Sequence, residues 1–238
     1  MEYLGQLNGH RLFTYKVAHD GGSAPNPYHG ICTLALCKPA IRAVAEAGDV
    51  VVGFGCGAEA NRIVYCMQVE ASLPWEEYIR ACRGDPGSIY SGPSFAGLRK
   101  KVPVGPHDPG DCIWPKAHGY EEALDSWSGH GGPEDYERDV AGKRVLIAHT
   151  FWYFGKVEVI RLRPELQVIV PNRGHRSNAN GRYADEFVKF FNSELERLRI
   201  AGPGMLGTPA LEPEKVDKQT CSRSRAEEKI SDAEPEEV

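Results

Sequence analysis

Residues 31–55 read I-C-T-L-A-L-C-K-P-A-I-R-A-V-A-E-A-G-D-V-V-V-G-F-G, and the rest of the chain can be arranged around this stretch. Residues 31–36 are apolar and partly β-branched, which is typical of a strand. Pro39 suits the first position of a helix, where its missing N–H costs nothing, and Gly48 is the type of residue that ends one. Residues 50–55 follow as a second strand. The stretch therefore predicts a strand–helix–strand platform.

Hydrophobic periodicity extends this platform in both directions along the chain. Strands are predicted at 11–18, 62–69 and 144–154, weaker extended segments at 157–170, and helices at 73–82 and 183–199. Segment 144–154 is the most hydrophobic, so we expect it to lie centrally with both faces buried and with His149 as a hydrogen-bonded core residue. The pattern predicts an α+β fold, in which a mixed or antiparallel sheet is flanked by a few helices.

Charge is distributed unevenly along the 238 residues, whose formal net charge is -5. Residues 211–238 hold nine of the 33 acidic and five of the 28 basic side chains, which leaves a nearly neutral body. Such a body neither requires nor excludes nucleic acid, and binding would depend on a local patch. Little beyond Gly202 can be buried. We therefore predict one domain over 1–202 and a disordered acidic tail over 203–238.

The cysteines and the hydropathy of the chain indicate the cellular compartment of the protein. Seven cysteines without close pairs suit a reducing cytosol. No apolar stretch reaches the ~20 residues that span a bilayer, and Met1-Glu2-Tyr3 does not resemble the start of a signal peptide. We predict a protein of the cytoplasm, or of the nucleus in a eukaryote, that is neither secreted nor bound to a membrane.

Four stretches carry a family resemblance. They are Y-K-V-A-H-D-G-G-S-A-P-N-P at 15–27, C-T-L-A-L-C-K-P-A-I-R at 32–42, G-D-V-V-V-G-F-G at 48–55 and G-H-R-S-N-A-N at 174–180. Together they resemble the nucleotide modification associated domain 2 family over about residues 12–198. The resemblance implies an association with systems that modify DNA bases. More remotely, a helix followed by Gly-Asp and a glycine-containing strand resembles the PUA, ASCH and EVE group of small β-barrels. This resemblance implies that the mixed or antiparallel sheet is barrel-like and that it binds modified bases.

A polar cluster precedes the helix at 183–199. Its members are His175, Arg176, Ser177, Asn178 and Asn180, with Arg161, Arg163, Arg173 and Arg182 nearby. Asn180 or Asn178 suits the N-cap, and the N–H groups at the start of a helix bind anions. Asn and Arg also suit hydrogen bonds to base edges. We expect this cluster to bind a phosphate or a base, although an elaborate cap with solvated arginines would use the same residues.

Other binding candidates lie outside this cluster. Loop 19–30 carries His19, Asp20, Asn26 and His29 next to the platform, and Asn26 is included among the predicted contacts. Lys38 adds positive charge at a helix start, and Arg42 belongs to the same motif. Residues 83–139 form a long irregular insert, in which Trp114 could stack on a base. Gly53 and Gly55 face the same way along their strand, which indicates a bulge or the close approach of a ligand or backbone.

The alternative to a binding protein is an enzyme, which the sequence leaves open. Cys32 or Cys37 could act as a nucleophile, with His175 or His19 as the acid or base. The histidines and aspartates of the insert match no metal-ligand spacing, so we predict neither metal nor cofactor. The chain lacks a P-loop, a dinucleotide-binding glycine motif, a deaminase zinc signature and a nucleophile elbow.

Three functions follow, in this order. The first is binding of a nucleotide, or of a modified base within nucleic acid, with DNA preferred to RNA. The second is an enzyme that modifies or processes a base or nucleotide by cysteine and histidine chemistry. The third is a protein-interaction domain whose arginines meet acidic partners. The oligomeric state stays open.

Overall fold

The computed structural model of the chain describes residues 3–18, 20–101, 137, 139–157 and 159–209. The strands are β1 (Leu12–Lys16), β2 (Cys32–Leu34), β3 (Val50–Phe54), β4 (Ile63–Gln68), β5 (Ala71–Pro74), β6 (Arg144–Ala148), β7 (Phe151–Tyr153), β8 (His175–Arg176) and β9 (Gly204–Met205). The α-helices used below are α1 (Pro39–Val44), α2 (Trp75–Arg83) and α3 (Ala184–Arg197). Most of the predicted elements are therefore confirmed.

The strands form two open sheets. Sheet A has the order β8-β1-β3-β4-β7-β9, with β1 parallel to β3, β7 parallel to β9 and the other neighbours antiparallel. Sheet B has the order β2-β6-β5 and is antiparallel. The α+β class and the mixed sheet are confirmed. Within the described residues the sheets do not close into a barrel, so the likeness to the PUA-type barrels is not confirmed.

Three apolar clusters show that the sheets and helices form four layers. Side-chain alternation along each strand of sheet A sends one set of residues towards α3, where Trp152 contacts Phe191 with 5.3 Å between ring centroids. The other set, including Phe13 and Val51, packs against Leu34 and other residues of sheet B. The far face of sheet B packs on α2. The order of layers is therefore α3, sheet A, sheet B, α2.

The single strand predicted at 144–154 is wrong. The chain forms β6 in sheet B, turns at His149 and Thr150, and returns as β7 in sheet A. The His149 ring lies 2.5 Å from the Glu70 carboxylate through Nδ1 and 2.8 Å from the Ser94 carbonyl oxygen through Nε2. His149 is hydrogen-bonded, as expected, but it is only partly buried, because these polar partners lie where the chain passes between the sheets.

Three boundaries also differ from the prediction. Helix α1 ends at Val44, and Gly48 lies in the following turn at φ +95°, where a Cβ would approach the His10 ring to 2.5 Å. In the region 157–170, the chain around Arg161 is extended and forms an antiparallel bridge with Arg62, but the 3₁₀-helix Pro164–Ile169 replaces the second extended segment. The predicted tail begins too early, because β9 pairs with β7 and the described chain continues to residue 209. The rest of that tail lies outside the described residues.

Candidate functional site

A row of paired residues crosses sheet A at one level. His175 of β8 pairs with Tyr15, Tyr15 with Gly53, Gly53 with Tyr65, and Tyr65 with Tyr153 of β7. Directly paired residues project from the same face of a sheet. The three tyrosines are buried in the cluster between the two sheets. We call these five residues the tyrosine row.

Gly53 leaves the space that joins two of the tyrosines. A Cβ at this position would lie 2.5 Å from Cε1 of Tyr65 and 2.6 Å from Cγ2 of Val17, so only glycine fits without a shift. Across this gap the Tyr65 hydroxyl donates to the Tyr15 hydroxyl at 2.9 Å, and the rings meet edge to face. The strand register shifts immediately after Gly53, which confirms the predicted bulge.

An acidic group lies at the β7 end of the row. The Tyr153 hydroxyl donates to Oδ1 of Asp20, and Asp20 is buried. Burial and the negative charge of Asp20 raise the pKa of Tyr153 above its ordinary value and raise that of Tyr28 to about 12. The phenols therefore keep their protons near neutral pH and act as hydrogen-bonding groups instead of bases.

Lys38 covers the other end of the row. Its Nζ lies 5.2 Å from the centroid of the Tyr15 ring, within the range of a cation–π contact. The Lys38 side chain is largely buried, with 8% relative exposure of the residue. The backbone that carries it is unusual, because Cys37 and Lys38 adopt φ values of +56° and +44° in succession. Left-handed non-glycine residues persist only where the surroundings hold them, at roughly 1–3 kcal/mol each.

A buried arginine holds this turn. Arg42 is fully buried and donates Nε to the Cys37 carbonyl oxygen at 2.7 Å, Nη1 to that of Arg144 at 2.8 Å, and Nη2 to that of Asp139. The Cys37 N–H donates to Oδ1 of Asp139 at 2.8 Å. Gly142 makes room for the guanidinium, since a Cβ there would lie 2.6 Å from Cζ of Arg42. These contacts fix the direction in which Lys38 leaves the backbone.

The environment of His175 follows from its place in the row. It shares the face of Tyr15 and is partly buried. Burial first, and then the positive charge of Lys38, lower the pKa of His175 below its ordinary value. At neutral pH a neutral imidazole therefore lies close to a lysine ammonium at the edge of sheet A.

Strand alternation separates the polar cluster that the sequence placed together. Arg176 pairs with Thr14 and projects from the opposite face to His175, where its Nη1 donates to the Val168 carbonyl oxygen at 2.5 Å. Ser177 lies on that face too. It helps to line a cavity of about 500 Å³ with His10, Arg11 and Asp185. The cluster at residues 175–180 is therefore divided between the two sides of sheet A.

The predicted N-cap is also wrong. A 3₁₀-helix, Asn178–Tyr183, leads directly into α3, and in this described segment the Tyr183 side chain makes no capping hydrogen bond. Asn180 is fully buried instead, and its Nδ2 lies within 3.2 Å of three acceptors. Those acceptors are the carbonyl oxygens of Leu12 and Arg176 and the Thr14 hydroxyl. Asn180 therefore joins the 3₁₀-helix to β1.

A comparison with protein families identifies the chain. The model described as nucleotide modification associated domain 2 matches residues 9–208. The chain belongs to this family. No curated protein and no solved structure matches it. All four stretches that carry the family resemblance meet at the tyrosine row: 15–27 supplies Tyr15 and Asp20, 32–42 supplies Lys38, 48–55 supplies Gly53, and 174–180 supplies His175.

The remaining predicted contacts of this family member occupy different environments. Asn26 is fully buried, bridges to Thr33, and receives hydrogen bonds from the buried Lys101 ammonium on both of its oxygens. Arg173 is exposed in the bend before β8. The backbone of Asn178 begins the 3₁₀-helix, but its side chain lies outside what is described, as do Trp114 and His19.

The thiols of this family member do not share one environment. Cys32 is buried in sheet B, Cys37 is half-buried in the turn beside Lys38, and Cys56 is exposed. Burial raises the pKa of Cys66 well above its ordinary value. All five described cysteines are free thiols. Among the residues described, no group of three or more His, Cys, Asp or Glu side chains could hold a metal, and no helix is long and apolar enough to cross a membrane.

Sequence reasoning missed the residues that connect this site. Tyr15, Tyr65 and Tyr153 each look like ordinary alternating strand residues, and only the register places them on one level. The available signal was a tyrosine at an inward position in each of three predicted strands, with a glycine in the strand that separates Tyr15 from Tyr65. Buried tyrosines need hydrogen-bond partners, so such a set predicts a polar network between strands.

Proposed function

We propose that this member of the nucleotide modification associated domain 2 family binds a nucleotide, or a modified base within nucleic acid, at the Lys38 and His175 end of the tyrosine row. DNA is the expected nucleic acid, because the family name concerns nucleotide modification and the resemblance implies DNA base modification. The observation that carries the proposal is that Lys38 and His175, from distant motifs, both lie against Tyr15.

The chemistry of this end suits a nucleotide. A lysine ammonium offers three donors to phosphate or carbonyl oxygens, and a neutral imidazole can both donate and accept. Buried phenols behind them add hydrogen-bonding groups in surroundings where such bonds are stronger than in water. Because the Cys37–Lys38 turn is held by Arg42 and Asp139 before any ligand arrives, little ordering of this turn opposes binding.

In this proposal the predicted contacts have different roles. Lys38 and His175 contact the ligand in this proposal, and the exposed Arg173 flanks them. Arg42 and Asn26 act as positioning residues, because both are fully buried. The side chains of Arg176 and Ser177 lie on the face of sheet A opposite to His175. A role in ligand binding for these two residues and for Asn178 stays a prediction. Stacking by Trp114 stays a prediction as well.

A binding titration with a matched lysine control tests the proposal. The probes are single-stranded DNA oligonucleotides with unmodified or methylated bases, RNA of the same sequence, and the corresponding nucleotides. Lys38→Met should weaken binding by about 1–3 kcal/mol, as expected for loss of a good charged contact. Lys156→Met is the control, because Lys156 is exposed in the turn after β7, and it should leave affinity unchanged. Equal affinities for wild type and a folded Lys38→Met variant would contradict the proposal.

One observation favours catalysis as a second candidate. Burial raises the pKa of Tyr15 well above its ordinary value, and the charges of Cys37, Cys32 and Asp20 add to this rise, so two thiols and a carboxylate lie near the row. Clusters of ionisable groups of this kind are common in active sites. In an enzyme Cys37 would be the nucleophile and His175 the base. Mass spectrometry of oligonucleotides incubated with wild type and with Cys37→Ser would show a product from wild type alone.

The compartment is also part of the proposal. The free thiols of the described residues suit the reducing conditions of the cytoplasm or nucleus, where nucleic acids are found. Selective labelling of Cys37 before the buried Cys66 would support both its exposure and the catalytic candidate. The exposed Cys56 must first be replaced by serine, because it would otherwise label earliest.

A further inference from the structure

Lys38 and His175 lie at the same end of the tyrosine row, but Lys38 carries a positive charge and His175 is neutral. Lys38 supplies a fixed cation over one side of the Tyr15 ring, and His175 lies beside Tyr15 on the neighbouring strand. Strand β8 is the edge of sheet A within the described residues and is two residues long. Both side chains therefore belong to the Tyr15 end of the tyrosine row, where the charge of Lys38 acts on His175.

We propose that the group held between Lys38 and His175 is a phosphate of the ligand, and that its binding converts His175 into a second cation. The inference rests on the proposed function and specifies which part of the nucleotide occupies this end of the tyrosine row. A phosphate has three strong acceptor oxygens, which suit an ammonium and an imidazolium together. An uncharged base would gain nothing from a second cation.

The electrostatic reason lies in the groups that surround His175. Tyr15 faces it from β1 as a neutral phenol that accepts a hydrogen bond from the Tyr65 hydroxyl. The thiols of Cys32 and Cys37 and the Asp20 carboxylate interact electrostatically with Tyr15, and Asp20 accepts a hydrogen bond from Tyr153. On its own segment, Arg173 is exposed and Arg176 projects from the other face. Lys38 is the cation whose charge, together with burial, lowers the pKa of His175. A phosphate between the two offsets that charge and favours the protonated imidazole.

This arrangement couples the binding of an anion to the protonation of His175. His175 has a lower pKa in the free protein than in the complex, so between these two values binding takes up a proton. Affinity for an anion should then fall as the pH rises through that interval, by up to about tenfold per pH unit for one proton. At pH values below the pKa of His175 in the free protein, His175 is already protonated before the anion binds. The affinity then no longer depends on pH.

Calorimetry with a non-titrating anion tests the link without interference from the ligand. Inorganic sulfate is the first probe, and binding to the full chain is measured in two buffers of different ionisation enthalpy. Uptake should approach one proton per bound sulfate. His175→Gln should abolish the uptake, and Lys38→Met should lower the affinity about tenfold or more. His10→Gln is the matched control, because His10 lines the cavity on the other face of sheet A, and it should keep the uptake.

Three further ligands identify the source of the phosphate. A deoxynucleoside monophosphate carries a terminal phosphate, an oligonucleotide without terminal phosphates carries only internal ones, and a deoxynucleoside carries none. Only the first two should bind at this site, and whichever binds more tightly shows which kind of phosphate the site accepts. In wild type, the imidazole nitrogen resonances of His175 should report a higher pKa with sulfate than without, which requires no variant.

Several results would overturn the inference. They are sulfate binding without proton uptake, uptake that persists in His175→Gln, and a nucleoside that binds as tightly as its monophosphate. Failure of every phosphate and sulfate probe to bind while a nucleoside or a modified base binds would overturn this inference and leave the proposed function standing. Failure of all the probes, nucleoside and oligonucleotides included, would overturn both.

Discussion

The Tyr65 hydroxyl donates a hydrogen bond of 2.9 Å to the Tyr15 hydroxyl across the strand that carries Gly53. This bond joins β1 to β4, which are not neighbours in sheet A. Tyr65 is paired in turn with Tyr153, whose hydroxyl donates to Asp20 at the other end of the tyrosine row. The proposed site is therefore continuous with the packing between the two sheets.

The bond predicts a coupling energy between the two hydroxyls. Tyr65→Phe removes the donor and Tyr15→Phe leaves the buried Tyr65 hydroxyl without this acceptor, so each should lower the free energy of unfolding by about 1–3 kcal/mol. Because both variants lose the same bond, the double variant should be less destabilised than the sum, by roughly 1 kcal/mol. Denaturant titration of the four proteins gives the values. Additive effects would show that the hydroxyls do not interact.

Gly53 should tolerate no side chain. Gly53→Ala places a Cβ within 2.6 Å of Tyr65 and Val17, both of which are packed, so we expect a loss of about 1–3 kcal/mol in the free energy of unfolding. Gly92→Ala is the control, because no atom of the described part of the chain lies within 4 Å of a Cβ there. Melting temperatures of both variants provide the comparison. Equal melting temperatures would mean that the space above Gly53 is not filled by Tyr65.

The buried Asn180 amide should stabilise the fold through its hydrogen bonds. Asn180→Ala removes an amide that lies against three acceptors of β1 and β8 and leaves them buried, at a cost of about 1–3 kcal/mol in stability. Asn172→Ala, at an exposed position, should stay within about 0.5 kcal/mol of wild type. Chemical denaturation measures both. A loss for Asn180→Ala as small as that of Asn172→Ala would contradict the assignment.

His175 should give stability a distinct dependence on pH. Its pKa is lower in the folded state than in the unfolded one, so the unfolded state binds more protons and the fold loses stability as the pH falls below about 6.5. The stability difference between wild type and His175→Gln should therefore shrink, or change sign, on acidification. Lys38→Met should weaken this dependence, because the Lys38 charge contributes to the lowered pKa. A difference that is independent of pH would contradict the environment assigned to His175.

The sequence predicted individual helices and strands better than the way in which they pair and pack. The apolar periodicity identified α3 and the strands β1, β3 and β4, since those patterns are local, but it missed the two-residue strands β8 and β9. It joined β6 to β7, because a continuous apolar run carries no sign of a passage from one sheet to the other. The barrel was an expectation from resemblance, and the two open sheets replace it in the described residues.

The candidate site shows the same limit. Lys38 and His175 were both singled out, but Arg176 and Asn180 were grouped with His175 because they are close in sequence. Strand alternation and the 3₁₀-helix Asn178–Tyr183 direct them elsewhere. Arg42 was included among the ligand contacts because it belongs to the motif at 32–42, and it is instead buried against backbone carbonyl oxygens. Neither outcome can be read from residue types alone, because both depend on long-range register and packing.

The two faces of sheet A can be distinguished by one NMR titration of the isotope-labelled chain. A DNA oligonucleotide or nucleotide that binds in the affinity measurements is added, and changes in the backbone amide resonances are mapped. The proposed function predicts the largest changes at Tyr15, Lys38 and His175. Changes concentrated at His10, Ser177 and Asp185, which line the cavity on the opposite face, would contradict it.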